Sequence, residues 1–277
     1  MSDAGAPAVH PTAVVHPGAK LGKGVRVGPF CVVGEHAEVG DGCILEPHAV
    51  LDGWTTLGKS CYVGVGVVIG APPQDKKYAG ARSYVRIGNG NTFREYVTVH
   101  RSTSPEGETV IGDDNYIMAM AHIAHDCRIG SDVTITNYAG VSGHVVVEDH
   151  VYLGGLSAFH QFVRIGAYAI VGGNCGVRMD VVPFAMATGE PLRIYGLNRL
   201  GLRRCGFTME QQKVIKGAFR ILFWSGLNTS EALARLRAEL GGNEHVQRLI
   251  RFVEGSKRGL TRGVEVEAGG SAGEAEL

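Results

Sequence analysis

Large apolar residues recur at every sixth position of this chain, starting from Val9. Of the 29 positions in that frame between Val9 and Val177, 26 are large and apolar; the exceptions are Asp75, Ala81 and Pro105. An amphipathic helix, with its period of about 3.6, would drift out of such a frame, whereas a strand-and-turn unit of six would not. Four residues after many of the large positions sits a small one, as at Ala37, Cys43, Ala49, Cys127, Ala139 and Ser157. One residue after them glycine is frequent, as at Gly28, Gly40 and Gly64, and is read as permitting a tight corner. The pattern predicts a parallel β-helix of triangular section. Each hexad is one side, three sides make a coil, and coils stack by strand pairing about 4.8 Å apart.

The frame breaks over residues 71–85 and again over 101–108, and both stretches are predicted to be loops thrown out from the prism. It ends after Pro183, so residues 1–190 are assigned to the β-helix and 191–262 to an α-helical C-terminal domain. There, Thr208 and Gln211 form a capping-box signature for a helix to about Ser225. Ser230 is read as the cap of a helix ending at Gly241, and Asn243 as the start of a third, to about Gly255. Residues 263–277, rich in Gly, Ala and Glu, are expected to be disordered.

Composition adds little that the repeat has not said. The 41 glycines and only 7% aromatics suit a turn-rich repeat better than a layered core. Five of the six cysteines fall in the small inward column, so they read as core filler rather than as a disulfide framework or metal ligands. No apolar run is long enough to span a membrane and no signal-peptide pattern opens the chain, so a cytoplasmic protein is expected.

Four histidines, His122, His125, His144 and His160, fall within three successive coils. Since Ile123, Val141 and Phe159 are spaced by one coil, the residues two beyond them, His125, Gly143 and Gln161, must also stack. His122 and His144 flank that column, and His160 adjoins Gln161. Asp126 follows His125, and a carboxylate beside an imidazole can orient it and raise its basicity for general-base work. Gly143 has no side chain to block access, which leaves its N–H able to face a reacting carbonyl.

Prisms of this kind resemble the left-handed β-helix of the hexapeptide-repeat acyltransferases. More specifically, HIAHDC (His122 to Cys127), SGHV (Ser142 to Val145), HQF (His160 to Phe162), QDKKYAG (Gln74 to Gly80) and GLRRCGF (Gly201 to Phe207) resemble the UDP-N-acetylglucosamine O-acyltransferases of lipid A biosynthesis. The resemblance implies transfer of an (R)-3-hydroxyacyl group from acyl carrier protein to the 3-hydroxyl of UDP-N-acetylglucosamine by a homotrimer. It makes His125 the general base, Asp126 its orienting partner and Gly143 the oxyanion donor, with no acyl-enzyme, metal or cofactor. His122, His144, His160 and Gln161 would hold sugar and pyrophosphate. Gln74, Asp75 and Lys77 would contact substrate from the first loop, and Asn198 and Arg204 would hold the nucleotide. Gly173, stacked on Gly155, matches a position that limits acyl-chain length. Cys205 and Leu200 depart from residues found in some relatives.

Residues 193–262 carry 14 Lys and Arg against five Glu and no Asp, a formal charge of +9 that suits an acidic partner such as acyl carrier protein. No nucleic-acid recognition motif accompanies it, so no nucleic-acid partner is expected. Other readings stay open on the residues alone. These are an acyltransferase using acyl-CoA or a UDP-3-amino sugar, a zinc lyase of the carbonic anhydrase type built on the histidines, and a non-catalytic scaffold.

Overall fold

A computed structural model describes residues 5–265. Among the described residues, strands of mostly two residues build three faces of 11, 9 and 8 strands, parallel throughout except for the last strand of the first face, and each face takes every third strand in chain order as far as residue 177. In a strand such as Val32–Val33 the first residue faces out and the second is buried. One residue in six therefore fills the interior from each side.

The strand register explains why the frame survives its two breaks. Val27 pairs with Leu45, 18 residues on, and Ile117 pairs with Ile135 by the same step. Across the first loop Val63 pairs with Phe93, a step of 30, and across the second Phe93 pairs with Ile117, a step of 24. The insertions are thus two hexads and one hexad long, and Asp75, Ala81 and Pro105 are the frame positions they occupy. From Val27 to Val177 every other frame residue is buried. Val9, in the first coil of the described residues, is 42% exposed.

The glycines serve a different purpose from the one expected. The left-handed corner residue lies three places after the apolar position and is mostly not glycine, as at His48 (φ +63°) and Asp126 (φ +61°). Glycine directly after the apolar position is required by the neighbouring coil. A Cβ on Gly28 would lie 2.9 Å from the Leu45 carbonyl oxygen, and one on Gly64 2.8 Å from that of Phe93. Five cysteines, from Cys31 to Cys175, are buried and free; Cys205 is exposed.

Beyond Pro183 the first face gains Ala185–Thr188, then turns back antiparallel as Arg193–Leu197. Four helices follow among the described residues: α1 (Arg199–Arg204), α2 (Met209–Trp224), α3 (Thr229–Leu240) and α4 (Glu244–Glu254). The capping box of Thr208 and Gln211 opens α2 as read, and Asn243 caps α4. The cap of α3 is Asn228, not Ser230. Its side chain accepts from the Glu231 N–H, and the Glu231 carboxylate accepts in return from the Asn228 N–H.

Helices and prism are locked together by Asp180, 1% exposed, which accepts from the Arg164 N–H at 2.8 Å and from Ser256 Oγ at 2.7 Å. Residues 263–265 of the expected tail are held, since Gly263 bridges to Ile194 and Trp224 Nε1 donates to the Val264 carbonyl. The rest of that tail, 266–277, lies outside the described residues. Among the described residues no helix is long and apolar enough to cross a membrane.

Candidate active site

The predicted column forms at the corner between the second and third faces. Asp126, His144 and Phe162 are its left-handed residues, at φ +61°, +62° and +67°. The His144 ring stacks on Phe162 with centroids 4.5 Å apart. His125 precedes Asp126, is 7% exposed, and lies directly over Gly143 one coil on. A Cβ on Gly143 would sit 2.6 Å from His125 Nε2 and 3.0 Å from Nδ1, so no other residue at 143 leaves the ring where it is.

Asp126 faces His125 Nδ1 through Oδ2 at 2.8 Å, and His144 Nε2 stands 3.8 Å from the same oxygen. Thr103 donates to that oxygen through Oγ1 at 2.8 Å and through its N–H at 3.2 Å, while Ser102 Oγ donates to Oδ1. Burial alone would raise the Asp126 pKa. The hydrogen bonds from Ser102, His125 and Thr103 outweigh it and hold the carboxyl below the usual range. An ionised carboxylate can only accept, so Nδ1 must carry the proton and Nε2 is left as the base.

His122 receives or gives a hydrogen bond at Nδ1 to Thr98 Oγ1, 2.7 Å away, and its ring meets that of His100 edge-on at 4.8 Å. Burial lowers the His122 pKa, with the proximity of His125 adding to it. Burial likewise pushes His100 down to about 4, and its Nδ1 has no hydrogen-bond partner among the described residues. His100, Ser102 and Thr103 were not singled out from the sequence. For Ser102 and Thr103 the signal was the length of the second insertion, one hexad, which returns them to the coil beside His125; for His100 it was its place directly after Val99, on the strand that pairs with His122 and Ile123.

His160 and Gln161 stand in the same column but are exposed, with His160 Nδ1 3.1 Å from the Gln161 carbonyl. Gln74 and Lys77 are exposed on the first loop, where Asp75 accepts from the Lys77 N–H at 2.8 Å. That loop is tied toward the site. Tyr78 donates to the Ala81 carbonyl at 2.7 Å, and Arg101 reaches both the Tyr78 hydroxyl (3.2 Å) and the Gly70 carbonyl (2.6 Å).

Asn198 and Arg204 are placed elsewhere. Asn198 caps α1, and its side-chain amide donates to the Tyr168 carbonyl at 2.9 Å, at the corner between the third and first faces. Arg204 closes that helix. This second corner repeats the first in outline: His150 Nδ1 is 3.6 Å from Asp132, and the His150 ring stacks on Tyr168 at 4.7 Å. It has no counterpart of the base over an open glycine. Ser131 and Asp149 take the places of His125 and Gly143, and both cap turns: Ser131 Oγ accepts from the Asp113 N–H at 3.0 Å, and Asp149 from the Ser131 N–H at 2.9 Å.

Gly173 lies over Gly155 at the remaining corner, and a Cβ on it would approach the Gly155 oxygen at 3.1 Å. His125, Asp126 and His144 each offer a ligand atom within 4.8 Å of the others, a set able to surround a metal ion.

A family model described as UDP-N-acetylglucosamine O-acyltransferase, domain 2, matches residues 180–261, and one for bacterial transferase hexapeptide (six repeats) matches residues 108–143. A Thermodesulfovibrio yellowstonii protein named acyl-[acyl-carrier-protein]--UDP-N-acetylglucosamine O-acyltransferase is 47% identical over 255 residues, covering 92% of this chain and 99% of its own. A Myxococcus xanthus protein of the same name is 46% identical over 255 residues, with the same coverage of both chains. Among solved structures, the UDP-N-acetylglucosamine acyltransferase of Bacteroides fragilis superposes with a TM-score of 0.90 at 36% identity, over 92% of this chain and 100% of its own. The Arabidopsis enzyme gives 0.82 at 38% identity, with the same coverage of both chains. The fold is accordingly a left-handed parallel β-helix with a C-terminal α-helical domain.

Proposed function

The chain belongs to the UDP-N-acetylglucosamine O-acyltransferase family, and from that premise we propose how its residues carry the reaction. The protein moves an (R)-3-hydroxyacyl group from acyl carrier protein to the 3-hydroxyl of UDP-N-acetylglucosamine, the first step of lipid A biosynthesis. One observation carries the mechanism: His125 is pinned through Nδ1 to an ionised Asp126, with its ring over Gly143.

His125 Nε2 takes the proton of the sugar hydroxyl as that oxygen attacks the thioester carbonyl. The tetrahedral oxyanion accepts from the Gly143 N–H. Collapse expels the carrier thiolate, which recovers the proton from His125. Atoms balance without an acyl-enzyme or a cofactor. His122, His144, His160 and Gln161 hold the sugar and pyrophosphate, and Gln74, Asp75 and Lys77 close on substrate from the first loop. The Gly155–Gly173 column accepts the acyl chain. Asn198 and Arg204 stand at another corner of the prism, which supports a site shared between subunits of a homotrimer, with the nucleotide held by the neighbour's helix. The +9 charge of residues 193–262 favours docking of the acidic carrier protein. A cytoplasmic location suits both substrates.

The donor set at Asp126 argues against zinc. Its oxygens already accept from Ser102, Thr103 and His125, and a metal would have to displace these bonds and strip the Nδ1 proton.

The test is transfer of label from (R)-3-hydroxyacyl carrier proteins to UDP-N-acetylglucosamine, with wild type and His125→Ala compared in the presence of a chelator. Wild type is expected to turn over, and the variant to fall by at least about 10²-fold, the scale of a lost general base. Unchanged transfer by the variant would mean that the base is misplaced. Loss of wild-type activity with chelator would restore the zinc reading.

A further inference from the structure

We infer that Ser102 and Thr103, carried by the second insertion, are positioning residues that set the orientation and basicity of His125 by acting on Asp126. The inference rests on the reading of His125 as the general base.

The insertion adds one hexad between Val99 and its pairing partner Ile123. It returns to the prism at the height of the column and places two hydroxyls and a backbone N–H on one carboxylate. Ser102 is fully buried. Its Oγ accepts from the Ser104 N–H at 3.0 Å, so its single proton is free to point at Asp126 Oδ1. Its carbonyl is held in turn by Ser83 Oγ at 2.6 Å, and Ser83, at the end of the first loop, is also fully buried. Thr103 acts on the other oxygen, where its Oγ1 and N–H share Oδ2 with His125 Nδ1. The Asp126 N–H is fixed as well, on Thr109 Oγ1 at 2.8 Å.

These contacts do two separable things. Ser102 on Oδ1 stops the carboxylate from turning about its Cβ–Cγ bond, so Oδ2 stays in line with the imidazole. Thr103 on Oδ2 takes up part of the negative charge that would otherwise bind the imidazolium proton more tightly. The first effect belongs to kcat, the second to the acidic limb of the pH–rate profile. The other groups facing this pair are His144, 3.8 Å from Oδ2, the buried His122 and His100, and Arg101, which is held on Gly70 and lies 3.6 Å from Asp52. None of them is altered by the substitutions that follow, so a change in the profile reports on the clamp.

The experiment measures kcat, KM for UDP-N-acetylglucosamine and the pH dependence of kcat/KM for full-length wild type, Ser102→Ala, Thr103→Val, Thr103→Ser and His125→Ala, with thermal unfolding as a check on folding. Ser102→Ala is expected to lose about tenfold in kcat with KM nearly unchanged, as for a mis-aimed but intact base. Thr103→Val should move the acidic limb upward by about half a pH unit, and Thr103→Ser, which keeps both donors, should restore the wild-type profile. If Ser102→Ala and Thr103→Val match wild type in kcat and in profile while His125→Ala is inactive, the inference is overturned and the base assignment stands. It is equally overturned if both lose activity only in proportion to lost folded protein, with the limb unmoved. An active His125→Ala would remove the base reading itself.

Discussion

At the scale of the residue, His100 is a buried imidazole that the acyl-transfer step does not use. Burial holds its folded pKa at about 4 against an ordinary 6.5. Between those values the unfolded chain binds more protons than the folded one, so stability should fall as pH drops from about 6.5 toward 4 and its His100 component should level off below. The shift corresponds to at most about 3 kcal/mol. Denaturant unfolding of wild type and His100→Phe at one protein concentration across this range is expected to give a shallower pH slope for the variant. Some slope remains, because His122 is depressed in the same direction. Parallel curves for the two proteins would show that His100 takes up a proton freely in the folded state. His125, Asp126 and Gly143 were legible in the sequence because the coil period stacks them, but His100 and its unpaired Nδ1 were not. His100 follows Val99 on the strand that pairs with Ile123, so the frame gives its place but not its burial, which tertiary packing sets.

At the scale of the element, the hexad frame carried most of the architecture because each strand buries one residue in six regardless of its neighbours. The same frame misjudged glycine. Gly28 and Gly64 are required by a carbonyl of the next coil under 3 Å from where a Cβ would be, a contact between residues distant in sequence. The α3 cap went to Asn228 rather than Ser230 on a signal that was local: Asn228 and Glu231 have the capping-box spacing of Thr208 and Gln211, and their reciprocal bonds select Asn228. Glycine stacking also makes the acyl groove testable. Gly155 and Gly173 lie one over the other with no side chain between them, and a Cβ on Gly173 meets the Gly155 oxygen at 3.1 Å. Gly173→Met should project a side chain along the corner and shift the preferred donor to a shorter acyl chain, measured with carrier proteins loaded with a series of lengths. An unchanged preference would place the end of the groove elsewhere. The reverse, a longer preferred chain, has no steric account at this position.

At the scale of the whole molecule, one chain brings together only part of the predicted site. His125, Asp126, Gly143 and His144 share a corner, whereas Asn198 is bonded to Tyr168 at another and Arg204 ends the helix that Asn198 caps. No sequence period could have revealed that separation, since α1 follows the last coil and its docking is set by tertiary contacts. A trimer closes the gap if α1 of one subunit reaches the histidine corner of the next. Subunit mixing decides the matter. His125→Ala should be inactive, and Arg204→Ala should raise KM for the nucleotide about tenfold, as for a lost charge-assisted contact. In trimers assembled from both variants, a shared site is intact where an Arg204→Ala chain supplies His125 and a His125→Ala neighbour supplies Arg204. Random assortment makes this about one quarter of sites, so activity with wild-type KM should reappear on co-expression. A site built within one chain would give no such recovery, because every chain in the mixture carries one of the two lesions.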